Sequence, residues 1–89
     1  MTTVERIAQK LAALAPEHID LRDESSAHAG HPGAARGGGH YRLTVVSRQF
    51  SGKPMQARHR MVYSALGDMM QHEIHALSIR AYTPDETKI

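Results

Sequence analysis

The stretch that most constrains the fold is residues 50–79, where a helical apolar pattern changes directly into a strand pattern. Apolar residues first recur at i, i+1, i+4, i+5, i+8 and i+9, a spacing that places them on one stripe of a helix. The stripe consists of Met61, Val62, Ala65, Leu66, Met69 and Met70. In the strand pattern that follows, His75 shares its parity with Leu77 and Ile79. We therefore predict a core-forming helix and then a strand that holds a histidine at the rim of the core.

Three more elements are predicted upstream of this stretch. Thr2 and Glu5 have the spacing of a capping box, and the apolar periodicity after them predicts a first helix. Residues 18–23 alternate polar and apolar, and residues 40–46 alternate and are rich in β-branched side chains, so both segments are predicted strands. Between them, residues 27–39 contain five glycines and one proline, a composition typical of a mobile loop.

The order of these elements predicts an α+β fold. It reads helix, strand, strand, helix pair, strand, with residues 55–58 forming either a short separate helix or the start of the long one. A helical connection between the second and third strands favours parallel pairing, because right-handed crossovers predominate. We expect a single domain over residues 1–89, with a three-stranded mixed sheet and helices packed on one face.

Composition narrows the possible functions. Cysteine is absent, so a bound metal must use the seven histidines or the carboxylates of the chain. A net charge of +2 with three tyrosines and one phenylalanine is a weak footprint for nucleic-acid binding. The sequence contains no run of about 18 apolar residues, and its first ten residues lack the apolar core of a signal peptide, so we expect a cytoplasmic chain that does not span a membrane. No catalytic constellation is visible, and we expect a non-enzymatic protein.

Several motifs of the chain resemble the BolA family. They are Val46-Ser47, Phe50-x-Gly52-Lys53, Arg58-His59-Arg60-x-Val62-Tyr63, Ile74-His75-Ala76-Leu77 and Thr83-Pro84, preceded by Asp23-Glu24-Ser25 and His28-Ala29-Gly30-His31. The resemblance covers nearly the whole chain and implies a class II KH-like fold in the order α-β-β-α-α-β. The chain departs from the family pattern after Thr83-Pro84, where an acidic residue and then a tryptophan commonly follow, because it contains no tryptophan.

His75 is the first candidate for chemistry. A lone histidine at a core edge is most often structural, although an imidazole at the start of a strand also suits metal binding. The resemblance implies that this histidine ligates a shared iron–sulfur cluster and that the glycine-rich loop supplies a second ligand. His28 aligns best with that ligand and His31 is the alternative, whereas His40 is expected to be structural. Without the resemblance, a His-x-x-His pair in a loop is only a weak zinc signal.

The number of metal ligands in this chain predicts a cluster site that is shared with a partner. A [2Fe-2S] cluster needs four ligands, and histidine can replace cysteine on one iron. A chain with two imidazoles and no thiolate provides half of that set. The resemblance implies that a monothiol glutaredoxin, with its cysteine and glutathione, provides the rest. It further implies a role in iron–sulfur cluster assembly or delivery, or in iron-status regulation, for a chain that we expect to be monomeric when alone.

A basic cluster precedes the long helix. It consists of Lys53, Arg58, His59 and Arg60. Such charges are most simply a solvated surface, but they also suit docking of an acidic partner or contact with phosphates. The resemblance implies a helix-turn-helix-like region here and links some family members to transcription. The alternative function is therefore a DNA-binding transcriptional regulator that uses this region.

Overall fold

The computed structural model describes residues 1–25 and 39–87. Within these residues the chain forms two α-helices and three strands. They are α1 (Thr3–Leu11), β1 (His18–Asp23), β2 (Gly39–Val46), α2 (Met55–Leu66) and β3 (Ile74–Tyr82). Short 3-10 helices span Ala12–Leu14, Arg48–Phe50, Gly67–Gln71 and Pro84–Thr87. The predicted α+β fold is confirmed, and no helix of the described ranges is long and apolar enough to cross a membrane.

Two details differ from the sequence pattern. Residues 55–58 merge into the long helix, so the predicted helix pair is the single helix α2, followed by the 3-10 turn Gly67–Gln71. Gly39, which by composition belongs to the loop, is the first residue of β2. The remaining prediction of a mobile loop falls on residues 27–38, which lie outside the described residues.

The sheet has β2 at its centre. β1 pairs with β2 in antiparallel fashion, from His18 opposite Val46 to Asp23 opposite Tyr41. β3 pairs with the other edge of β2 in parallel fashion, and α2 makes the crossover between the two strands. This mixed sheet is the arrangement that the helical connection predicts.

The core lies between the two α-helices and one face of the sheet. A capping box starts α1, in which the Glu5 backbone N–H donates to Thr2 Oγ1 at 3.1 Å and the Thr2 N–H donates to Glu5 Oε1 at 3.1 Å. The buried residues are Ile7, Leu11, Leu14, Tyr41, Leu43, Val45, Phe50, Val62, Leu66, Met69, Ile74 and Ala81. The predicted helix stripe supplies three of them, and its other members pack against this core. The opposite face of the sheet carries exposed Arg22, Arg42 and Arg80.

Arg58 is a buried side chain that connects α2 to the end of the sheet and to the C-terminal turn. Its Nε donates to the carbonyl oxygen of Lys53 at 2.8 Å, and its Nη1 donates to that of Ala81 at 3.0 Å. Nη1 and Nη2 also donate to the two carboxylate oxygens of Glu86, at 2.6 and 3.0 Å. Only 8% of Arg58 is exposed. The prediction that Arg58 belongs to an exposed basic cluster is therefore wrong, because the fold uses all three guanidinium nitrogens internally.

Glu86 stabilises the C-terminal turn, Pro84–Thr87, through its carboxylate. One of its carboxylate oxygens accepts from the Thr83 backbone N–H at 2.8 Å while also accepting from Arg58. The hydrogen bonds from the Arg58 side chain, followed by that from Thr83, lower the pKa of Glu86 from 4.5 to about 2. A charged pair thus holds the turn Pro84–Thr87.

We expect Arg58→Lys to lower the free energy of unfolding by about 1–3 kcal/mol, since an ammonium cannot reproduce the fork of bonds to a carboxylate and two carbonyls. The matched control is Arg60→Lys, which changes an exposed arginine two positions along the same helix and should stay within about 0.5 kcal/mol of wild type. Urea denaturation followed by circular dichroism measures both variants. Equal effects at the two positions would contradict the structural role of Arg58.

We also expect stability to fall as the pH drops from about 4.5 through about 2. Glu86 remains ionised over this interval in the folded chain but takes up a proton in the unfolded chain, so protons favour unfolding. Thermal melts at several pH values should show a flatter profile for Glu86→Gln than for wild type. The control Asp68→Asn, at an exposed carboxylate in the Gly67–Gln71 turn, should retain the wild-type slope.

Candidate metal centre at the start of β3

A register shift interrupts the parallel pairing of β2 and β3 at their first residues. Gly39 pairs with Ile74, but His40 pairs with Ala76, so His75 is an extra residue on β3. The bulge reverses the parity expected from the sequence: Ile74 is buried at 2% exposure, and His75 is exposed. Bulges are rare in parallel pairs and typically re-aim a side chain. The expectation that His75 faces the same way as Leu77 is thus replaced by an exposed imidazole.

The bulge brings His75 against His40. The two ring centroids are 5.1 Å apart, and the ring planes are inclined by 50°. His40 is half-buried on β2, where it alternates with the core residue Tyr41. The sequence alone suggests a structural role for His40 and does not predict this pairing. The signal that points to it is the parallel register, which aligns the first residues of β2 with those of β3.

The backbone around the two rings is tightly connected. The His40 N–H donates to Ser25 Oγ at 3.1 Å, and the Glu24 N–H donates to the His40 carbonyl oxygen at 2.7 Å. The Gly39 N–H donates to the Glu73 carbonyl oxygen at 2.9 Å, which fixes the start of β2 to the residue before β3. These bonds fix the backbone of His40 and the residue before β3, so both histidines are carried by strands instead of by a loop.

The Tyr41 ring lies where a side chain at position 39 would stand. A Cβ added to Gly39 would come within 2.5 Å of that ring. Next to it, a cleft of about 260 Å³ opens at this end of the sheet. Its lining residues are Glu24, His40, Tyr41, Ala76, Leu77 and Ser78. Because glycine has no side chain, the ring of Tyr41 can occupy this space and remain buried at the edge of the core.

The other predicted cluster ligands, His28 and His31, lie outside the described residues. Both ends of the segment that contains them are described, and both are next to the histidine pair. Ser25 at one end accepts the hydrogen bond from His40, and Gly39 at the other end pairs with Ile74. In residues 1–25 and 39–87 no group of three or more histidine or carboxylate side chains is arranged to hold a metal ion.

The predicted basic cluster is divided by the fold. Lys53 and Arg60 are exposed, whereas Arg58 is buried in the network described above. His59 is half-buried, and its Nε2 is buried without a hydrogen-bond partner among the described residues. Arg60 lines a groove of about 450 Å³ between the end of α1 and α2, beside Leu14 and other small or apolar residues. Of the four residues, Lys53 and Arg60 thus remain available to a partner.

The geometry at the start of β3 fits part of a metal coordination sphere. One exposed imidazole and one half-buried imidazole meet at one end of the sheet, and the chain contributes no thiolate. Imidazole is a ligand for zinc, copper, nickel and iron, and in iron–sulfur clusters it replaces thiolates on one iron. A cluster at this position requires ligands from elsewhere.

Comparison with known proteins identifies relatives of the whole fold. BolA-like protein 1 from Homo sapiens is 44% identical over 72 residues, which are 81% of this chain and 50% of that protein. The DNA-binding transcriptional regulator BolA of Escherichia coli strain K12 is 37% identical over 83 residues, covering 92% of this chain and 76% of that protein. The chain spans about half the length of the BolA-like protein 1 relatives that it matches.

Structural comparison agrees with the sequence relatives. The structure of BolA1 from Arabidopsis thaliana superposes with a TM-score of 0.83 at 31% identity, covering 99% of each chain. The family model for BolA, described as BolA-like protein, matches residues 11–86. This range includes both strands that carry the histidine pair and the network around Arg58. The chain therefore belongs to the BolA-like protein family.

Proposed function

We propose that this protein is a non-enzymatic adaptor that binds a monothiol glutaredoxin and co-ligates a bridging [2Fe-2S] cluster. His75 is one ligand, and a histidine of the segment 26–38, His28 or His31, is the other. The partner supplies its cysteine together with the thiolate of glutathione. In this role the protein acts in iron–sulfur cluster assembly or delivery, or in iron-status regulation, in the cytoplasm.

The observation that supports this proposal is the exposed imidazole of His75 at the bulge. A ligand to a cluster that bridges two proteins must reach the surface, and the register shift gives His75 that position while Ile74 fills the core. The chain between Ser25 and Gly39 begins at a residue that is hydrogen-bonded to His40 and ends at a residue that pairs with Ile74, next to His75 in the sequence. A ligand from that segment and His75 can therefore approach the same partner.

Chain length favours His28 as the second ligand. It follows Ser25 by three residues, so its Cα lies at most about 11 Å from that of Ser25 in an extended chain. His31 follows Ser25 by six residues and has twice that reach. His28 consequently loses less conformational entropy when it is held near His75, since a shorter tether restricts fewer residues. With either histidine, this chain supplies two of the four ligands that a two-iron cluster needs.

The proposal predicts that His75→Ala abolishes the red-brown heterocomplex. Anaerobic reconstitution with a monothiol glutaredoxin, iron, sulfide and glutathione is followed by size-exclusion chromatography and visible absorption. His75 is exposed, so its loss should leave the fold intact. The matched control is His18→Ala, at an exposed histidine of β1 at the opposite end of the sheet, which should assemble the cluster like wild type.

In the same assay, His28→Ala should reduce cluster absorption more strongly than His31→Ala. The reverse order would reassign the second ligand to His31. A His75→Ala heterocomplex with the wild-type spectrum and yield would overturn the proposed ligation. A wild-type protein that forms no complex with the glutaredoxin under these conditions would overturn the adaptor role itself.

The second candidate function is DNA binding by a transcriptional regulator. It is favoured by one observation: the Escherichia coli relative, 37% identical, is named a DNA-binding transcriptional regulator. The surface available for this role contains Lys53 and Arg60, at the start and middle of the α2 region. Because Arg58 is buried, this surface is less basic than the sequence suggests.

If DNA binds here, the double substitution Lys53→Ala with Arg60→Ala should weaken it and reduce the slope of log K against log salt by about 0.9 for each phosphate that the variant no longer neutralises. The control is Lys10→Ala with Arg22→Ala, which removes the same charge from other exposed positions. Fluorescence anisotropy across a salt series measures both. An equal loss of affinity in the two double variants would indicate a general charge effect and contradict a specific interface at α2.

A further inference from the structure

We propose that His40 and His75 together form a two-imidazole site that binds one divalent transition-metal ion, such as Zn²⁺, on this chain alone. The site differs from the cluster ligation proposed above in using His40 of β2, and it needs no partner protein. Both of its ligands lie on described strands. The ion takes water at its remaining positions.

The separation of the rings fits a shared ion. Two imidazoles bound to one tetrahedral zinc have centroids about 5 Å apart, because each nitrogen lies about 2.0–2.1 Å from the metal and the ring centre roughly 1 Å farther. The observed centroid distance is 5.1 Å. The inclination of 50° also departs from a parallel stack, in which the faces of the rings meet instead of their edges. The separation of the two rings is therefore compatible with one nitrogen of each ring bound to a common ion.

The backbone holds this geometry before any ion arrives. His40 is fixed by hydrogen bonds of its N–H and carbonyl groups to Ser25 and Glu24, and the bulge sets the position of His75. The carboxylate of Glu24 lines the same cleft as His40 and is 3.6 Å from Arg42. Ligands on rigid strands reduce the entropy lost on binding.

The chemistry selects the class of ion. Imidazole prefers zinc, copper and nickel over magnesium or calcium, which take oxygen ligands. With only two protein ligands the site leaves open positions, and the ion should exchange readily. Since the ion occupies His75, it must also compete with the cluster for that ring; this consequence, unlike the binding of the ion, rests on the proposed function.

Calorimetric titration of the isolated protein with Zn²⁺ tests the site. We expect one ion per chain for wild type and a loss of roughly tenfold or more in affinity for His75→Ala and for His40→Ala. His40→Gln, which keeps a polar side chain of similar size, guards against loss of folding and should lose affinity equally. The control His18→Ala should bind like wild type.

The double variant His28→Ala with His31→Ala separates this site from the segment 26–38. It should retain the wild-type affinity, with the histidine ring signals of residues 40 and 75 shifting together in NMR spectra as Zn²⁺ is added. Wild-type binding by both His40 variants, or loss of binding in the double variant, would overturn the proposal. A failure of cluster assembly with glutaredoxin leaves this titration unaffected, so the two proposals fail separately.

The competition is measured by adding Zn²⁺ before cluster reconstitution with a glutaredoxin that, alone, assembles its cluster normally at the same Zn²⁺ concentration. We expect a lower yield of heterocomplex for wild type, restored by a chelator. If His75→Ala fails to assemble the cluster but the wild-type yield is unchanged at saturating Zn²⁺, the ion does not occupy His75, and the two-imidazole site would be wrong.

Discussion

The pairing of β3 with the central strand β2 is the constraint on which the candidate metal centre depends. Parallel strands require a crossover, and α2 provides it while burying its apolar stripe on the sheet. Gly39 of β2 pairs with Ile74 of β3, but the next residue of β2, His40, pairs with Ala76. The start of β3 therefore contains one residue, His75, that has no partner position on β2. The fold absorbs that residue as a bulge. The bulge leaves the side chain of His75 exposed. Its ring contacts that of His40 because the pairing of β2 with β3 begins at these residues.

The residues at the start of β3 and those at its end differ in what they bind. At the start of β3, the rings of His40 and His75 lie against each other, and His40 lines an open cleft, an arrangement suited to binding. At the end of β3, the Arg58 guanidinium and the Glu86 carboxylate are hydrogen-bonded to each other within the fold. Removing one partner of such a pair leaves a buried charge without compensation, which is why these residues contribute to stability. Charge in this protein is therefore a poor guide to function unless burial is known.

The architecture can be predicted well from the sequence because its signals are local. The capping box of Thr2 and Glu5, the alternation in β1 and β2, and the apolar stripe on α2 and the turn after it each depend on residues close to one another in the sequence. Together with the handedness of crossovers, they are sufficient for the mixed sheet. The choice of His75 as the leading candidate also comes from the sequence, through the family that its motifs resemble.

The errors come from contacts between distant residues. Alternation along β3 predicts that His75 faces the core rim, but a bulge depends on the register with β2 and leaves no mark in the spacing of a single strand. Arg58 resembles a surface charge in the sequence because its partner, Glu86, follows 28 positions later. The contact between His40 and His75, which the sequence does not predict, likewise depends on a residue of another strand.

The burial of Arg58 has a consequence for genetic experiments. In a saturation mutagenesis library under selection, position 58 should tolerate few substitutions whatever the protein binds, because variants there are depleted through lower abundance. Its neighbour in the same Arg-His-Arg motif, Arg60, is solvent-facing and free of that requirement. Depletion at position 58 without depletion at position 60 would thus record folding, and only the exposed arginine can report on recognition.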